Sequence, residues 1–174
     1  MRVLLITTGG TIDKVYGRGS GIRDLHIGEP IAPVILRKMG YEQFDHLELF
    51  RKDSLDMTDE DRSTIARACN VANTPCIIIT HGTDTMIETA KAVSDLLGSS
   101  VSHRIRRIVL TGAAQPACMR DSDAEFNLGS ALATCIDGNV GIRIAMNGIH
   151  FWHACRKNPK TGIFEEYHES QSAA

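Results

Sequence analysis

The runs Val3–Ile6 and Cys76–Ile79 are apolar at every position, and Arg107–Leu110 is apolar after its first residue, with no polar alternation to mark a wet face. Runs this short and this uniform suit strands covered on both sides, as in a parallel sheet under helices. The chain between them carries helical patterns. Pro30–Met39 reads as a short helix with proline in its first turn. Thr58 followed by Asp59, Glu60 and Asp61 reads as a capped helix start running to about Ala72. Asp84 to Leu97 has apolar residues at helical spacing and ends at Gly98, and Asp123–Ile136 is a further helix. His46–Phe50 and Ile142–Met146 complete the strands. Repeated βα units predict an α/β fold, a Rossmann-like or flavodoxin-like parallel sheet with helices on both faces.

With 174 residues, the chain is read as one domain over residues 1–157 and a short polar tail over 158–174, a hairpin or a partly disordered end. The stretch from Asp13 to Gly28 is rich in glycine and lacks a core face, so it reads as a mobile lid or as a plain surface loop. A net charge of −2, with its longest basic run (Arg104 to Arg107) leading into a strand, argues against a nucleic-acid partner. No segment is long and apolar enough for a membrane span, and no signal-type core follows the amino terminus, so the expected location is cytoplasmic. Five cysteines without paired metal-ligand spacing read as buried free thiols, with Cys118 and Cys155 near polar loops as the candidates for reactivity. Seven scattered histidines add no ligand cluster, and neither metal nor cofactor is expected.

In a parallel sheet the loops after Ile6, Ile79, Leu110 and Met146 open on one edge, where ligands bind. That edge collects Thr11, after the turn Thr8-Gly9-Gly10, and Thr83-Asp84, after His81-Gly82, with Gln115 and Lys157 further on. A Gly-Gly turn can simply reverse the chain, or it can bring backbone close to a ligand. Asp84 by itself suits a helix cap, and Lys157 a solvated surface. Together they make a hydrolytic set: a threonine hydroxyl needs a base to act as a nucleophile, and a lysine beside a carboxylate can carry the proton. No Gly-x-Ser-x-Gly elbow, P-loop or Gly-x-Gly-x-x-Gly after the first strand competes.

The segments Thr8-Gly9-Gly10-Thr11-Ile12 and Thr80-His81-Gly82-Thr83-Asp84-Thr85-Met86 resemble the two signatures of the bacterial-type L-asparaginases. Asp53 to Met57, Gly112-Ala113 through Leu128, and Met146-Asn147-Gly148 extend the resemblance across most of the chain. It implies the fold of the family's amino-terminal domain and hydrolysis of L-asparagine to L-aspartate and ammonia through an acyl-threonine, without a cofactor. It further implies Thr11 as nucleophile and Thr83 as second catalytic threonine. Asp84 is then the carboxylate that works with a lysine and meets the substrate amino group, and Ser54 binds its α-carboxylate. Lys157 matches the catalytic lysine, with Lys160 as the alternative. Gly10, Asp53, Leu55, Gly82, Thr83 and Ala113 line the substrate pocket on the same basis. Tyr16, the tyrosine of the 13–28 stretch, is the candidate lid residue, its hydroxyl reaching Thr11 on closure, or else a packing residue.

The usual member of that family carries a second, carboxyl-terminal domain that lends an acidic residue to a neighbouring subunit's site. The expectation for this sequence is a chain without that domain, assembled as a homodimer or larger homo-oligomer, with Glu165, Glu166 or Glu169 of a partner as substitutes. Leu55 stands where many members have a polar contact to substrate, which predicts weak glutaminase activity. Gln115 replaces a basic residue of the longer relatives. The competing functional readings are a glutaminase or other small-amide amidohydrolase, and a non-catalytic amino-acid sensor.

Overall fold

The apolar runs become strands whose side chains alternate between two separate cores. The computed structural model describes residues 1–17, 25–98, 106–152 and 155–166. Among them a six-stranded sheet forms from β1 (Val3–Gly9), β4 (Phe44–Lys52), β5 (Cys76–Thr80), β6 (Arg107–Thr111), β7 (Gly141–Met146) and β8 (Ile149–Trp152), in the order β4-β1-β5-β6-β7-β8. Every neighbouring pair is parallel except β7–β8. Ile6, Ile77, Ile79, Ile108, Leu110 and Ile144 face one core with helices α2 (Asp59–Val71) and α3 (Met86–Gly98). Val3, Leu5, Cys76, Ile78, Val109 and Ala145 face the other with α1 (Ala32–Lys38) and α4 (Ala124–Asp137). A strand whose odd and even positions are both covered has no reason to alternate polar residues. The expected doubly covered α/β sheet is therefore what the chain builds.

Local signals account for the helix ends. Thr58 Oγ1 accepts from the Asp61 amide at 3.2 Å and Asp61 Oδ2 accepts from the Thr58 amide at 2.9 Å, a reciprocal cap worth about 1 kcal/mol. Two arginines of the basic run, Arg106 and Arg107, serve helix ends as well. Arg106, nearly buried, donates to the carbonyls of Asn70, Ala72 and Thr74 at the end of α2, and Arg107 donates to Ile136 O at the end of α4.

Several details differ from the sequence reading. The proline of the first turn of α1 is Pro33, since the helix starts at Ala32. The edge strand β8 runs antiparallel after a turn at Asn147, whose φ is 56°. The stretch after Thr11 is not featureless: β2 (Lys14–Tyr16) pairs antiparallel with β3 (Leu25–Ile27). Asp13 at its root is buried. Residues 18–24, with Arg18, Gly19, Gly21 and Arg23, lie outside the described residues.

Residues 155–166 form the ribbon of β9 (Cys155–Lys157) with β10 (Phe164–Glu166). Phe164 is only 2% exposed and lies with its ring centroid 6.4 Å from that of Phe151, inside the core shared with α2 and α3. One apolar residue in a polar segment left no periodicity to read. Burial of Cys155, the first residue of this ribbon, pushes its thiol up to about 11, which removes it from the reactive candidates. Cys118 is exposed, and all five thiols are free.

Candidate active site

The site is assembled where β1, β4 and β5 end. Gly9 and Gly10 have φ of 95° and 88°, and the Gly10 amide donates to Lys52 O at 2.9 Å, so the chain leaving β1 bends over the end of β4. A Cβ on Gly10 would lie 2.5 Å from Gly82 N. A Cβ on Gly82 would in turn lie 2.5 Å from Ser54 Oγ. Two bare backbones and a small side chain are thus stacked, and this stacking is why the motifs around Thr11 and Thr83 carry glycine. Thr11, half-buried, opens a 3-10 turn over Thr11–Asp13.

Across from it, Lys157 Nζ lies 2.9 Å from Thr83 Oγ1 and 2.7 Å from Asp84 Oδ1. Thr83 and Asp84 sit in the turn before α3, and Lys157 ends β9. The register pairs Lys157 with Phe164, so the buried ring anchors the strand that carries the amine. Lys160 takes a different place: its amide donates to Asn158 Oδ1 in the turn between β9 and β10.

Ser54 begins a second 3-10 turn, Ser54–Asp56, capped by Asp53 Oδ1, which accepts from the Leu55 amide at 3.2 Å. Ser54 is 1% exposed and its Oγ has no hydrogen-bond partner among the described residues. A buried hydroxyl without a partner costs free energy that a bound polar ligand could recover. Thr85 Oγ1 donates to Ser54 O at 2.7 Å, tying this turn to the Thr83–Asp84 turn. Asp53 Oδ2 lies 2.8 Å from Lys14 Nζ, and that bond holds the Asp53 carboxyl below its usual range.

Behind these turns His81 is fully buried. Its Nδ1 is 2.8 Å from Gly82 O, an acceptor, so the ring proton sits on Nδ1 and Nε2 accepts from the Thr89 hydroxyl at 2.9 Å. Burial pushes its pKa down to about 4, so the ring is a neutral brace for the Gly82 carbonyl. Asp13 is braced similarly: Oδ1 accepts from the Ile31 amide at 2.9 Å, and Oδ2 has no partner among the described residues. Burial pushes this carboxyl up to about 6.

Thr11, Gly10, Ser54, Gly82, Thr83, Asp84 and Lys157 therefore share one sheet edge. Ala113 is buried beside that edge, and Leu55 is 72% exposed. Gln115 is exposed, its amide bound to Asp123 Oδ1. Tyr16 is 54% exposed on β2 and no hydrogen bond joins it to Thr11 among the described residues. Glu165 is paired with Arg156 at 2.6 Å, and Glu169 lies outside the described residues. Lys14, Thr85 and His81 were missed as parts of this assembly. Only the placement of His81 and Thr85 inside the second glycine motif could have flagged them. Lys14 and Asp53 carry no local signal of their pairing. Among the described residues no group of three or more His, Cys, Asp or Glu side chains is placed to hold a metal ion.

The profile of the family described as Asparaginase, N-terminal, matches residues 2–161. The chain belongs to the asparaginase family. It is 31% identical over 147 residues to an L-asparaginase of Thermococcus kodakarensis, across 83% of this chain and 44% of that protein. It is 28% identical over 151 residues to a glutamyl-tRNA(Gln) amidotransferase subunit of Methanosarcina barkeri, across 84% of this chain and 34% of that protein. The solved structure of the thermostable L-asparaginase from Thermococcus kodakarensis matches with a TM-score of 0.77 at 28% identity, covering 95% of this chain and 51% of that one. This asparaginase-family chain spans about half the length of that structure and less than half of these two curated relatives.

Proposed function

We propose that this asparaginase-family chain is an L-asparaginase, converting L-asparagine and water to L-aspartate and ammonia through an acyl-threonine. The observation that carries the reading is Lys157 Nζ bridging Thr83 Oγ1 and Asp84 Oδ1 on the same sheet edge as the Thr11 turn. An amine within hydrogen-bond reach of one hydroxyl and paired with a carboxylate is a proton carrier for acyl transfer. Its likeness to the L-asparaginase of Thermococcus kodakarensis supports the choice of substrate.

In this reading the substrate α-carboxylate meets Ser54 and nearby backbone amides, and its α-ammonium meets Asp84. Thr11 Oγ attacks the side-chain amide carbon as its proton passes toward Thr83 and Lys157. The C–N bond breaks, the nitrogen leaves as ammonia with that proton, and an aspartyl ester remains on Thr11. Water, deprotonated through Thr83 and Lys157, attacks the ester; the C–O bond breaks, L-aspartate leaves, and Thr11 recovers its proton. Asp84 and Leu55 are exposed in the single chain, which fits a site closed by a neighbouring copy in a cytoplasmic homodimer or larger assembly.

A second reading rests on the likeness to amidotransferase subunits: an amidohydrolase that draws ammonia from another amide, such as glutamine, for a partner enzyme. Ammonia release from L-asparagine and L-glutamine by wild type, Thr11→Ala and Thr83→Ala tests both. Release from asparagine that both variants abolish is the expected result. Full activity in Thr11→Ala would overturn the nucleophile assignment, and preference for glutamine would favour the second reading. Asparagine binding without any ammonia release would make the chain a sensor.

A further inference from the structure

The chain on either side of Thr11 is fastened to Lys52 and Asp53, the two residues that lead into the Ser54 turn. Before Thr11, the Gly10 amide donates to Lys52 O at 2.9 Å. After it, Lys14 Nζ meets Asp53 Oδ2 at 2.8 Å, while the other oxygen of Asp53 caps the turn that begins at Ser54. The first link is backbone and the second is an ion pair between side chains that are 26% and 30% exposed. Between the two lies only the short turn Thr11–Asp13.

From this geometry we infer that Lys14 and Asp53 are positioning residues that set substrate length, by fixing the spacing between Thr11 and Ser54. The inference rests on the functional reading above, in which Ser54 holds the α-carboxylate and Thr11 the reacting carbon. A substrate spanning two such points is measured by the distance between them. Asparagine and glutamine differ by one methylene, so selectivity between them depends on how rigidly that distance is held. Gly82, packed between Gly10 and Ser54, keeps the two turns from moving closer. Ile12 and Asp13 tie the far side of the Thr11 turn to the amides of Ala117, Gly28 and Ile31, and the Lys14–Asp53 pair ties it directly to the residue that caps the Ser54 turn. Loss of the pair admits the longer amino acid while Thr11, Ser54, Thr83, Asp84 and Lys157 are all retained.

The test uses the product acids, whose binding does not need turnover. Calorimetry gives the ratio of L-glutamate to L-aspartate dissociation constants for wild type, Lys14→Met, Asp53→Asn and Lys14→Arg. Lys14→Met keeps most of the side-chain stem, and Asp53→Asn keeps the acceptor for the Leu55 amide. Both are expected to lower the ratio by roughly fivefold, the scale of a partly exposed ion pair. The two changes combined are expected to do no more than either alone, and Lys14→Arg is expected to restore the wild-type ratio. A merely structural role would weaken both acids in proportion and leave the ratio unchanged. An unchanged ratio in folded Lys14→Met or Asp53→Asn overturns the inference alone. Wild type that binds neither acid removes the functional reading and the inference with it.

Discussion

Lys157 Nζ sits 2.9 Å from Thr83 Oγ1, although 74 positions separate the two residues along the chain. The amine has a carboxylate neighbour in Asp84, whose side chain is 50% exposed, so the pair's contribution to stability is small. Lys157→Met is therefore expected to keep the wild-type melting temperature and to lose roughly 10²- to 10⁴-fold in kcat for ammonia release, the range of a proton-transfer group. Lys160→Met is expected to keep activity. The reverse pattern would move the catalytic lysine to Lys160.

Phe164 is the anchor of that arrangement. Its ring is buried against Phe151 and its backbone pairs with Lys157. Phe164→Ala is expected to cost about 3–5 kcal/mol in urea unfolding, the usual result of removing a buried aromatic ring. Activity is expected to fall further than the folded fraction does, because Lys157 loses its strand. Phe164→Leu should recover most of both. Equal loss of activity and folded fraction would show that the ribbon is stabilising without placing the amine.

The glycine stack makes a separate prediction. Gly10 has φ of 88° and ψ of −176°, a region closed to side chains, and an added Cβ would press on the Gly82 backbone at 2.5 Å. Backbone cannot rotate away as a side-chain tip can. Gly10→Ala is expected to lose about 2–5 kcal/mol, from strain and overpacking together. It should also abolish activity in whatever fraction folds. Gly82→Ala would press on Ser54 Cβ at 2.6 Å and on its backbone nitrogen at 3.1 Å as well as on Oγ, so it is expected to lose stability too and to raise KM in the folded fraction. A Gly10→Ala protein with wild-type stability and turnover would exclude the stack as the reason for the motif.

The parts of this site that could be read in the sequence are those encoded within a few residues. The buried strands showed as apolar runs because both faces are covered, and Thr58 and Asp61 form their cap within one turn of helix. The two glycine motifs placed Thr11 and Thr83 at strand ends for the same reason. The rest depends on contacts between distant segments. Lys14 and Asp53, Thr85 and Ser54, and Asn127 bridging Gly112 O to the Asn147 amide each look like ordinary polar residues until the sheet brings them together. The role of Phe164 was hidden because a short ribbon buries one side chain and exposes its neighbours. Periodicity needs more positions than that.

Asp13 and His81 make opposite contributions to stability as pH changes. Burial raises the Asp13 pKa from 3.8 to about 6, so its contribution is full below 3.8 and is lost as pH rises through 6. Burial lowers the His81 pKa from 6.5 to about 4, so its contribution is full above 6.5 and is lost as pH falls through 4. Each shift corresponds to about 3 kcal/mol, and between about pH 4 and 6 the two slopes oppose each other. Asp13→Asn keeps the acceptor for the Ile31 amide and removes one slope. Urea unfolding from pH 4 to 7 should then show the variant gaining on wild type by about 3 kcal/mol as pH rises, with most of the gain between pH 4 and 6. Asp53 and Asp61, held low by Lys14 and Lys52, lose their contributions only on further acidification and do so in both proteins. A difference between variant and wild type that does not change with pH would mean that Asp13 is charged in the folded state, and that its carboxylate is solvated by something other than the Ile31 amide.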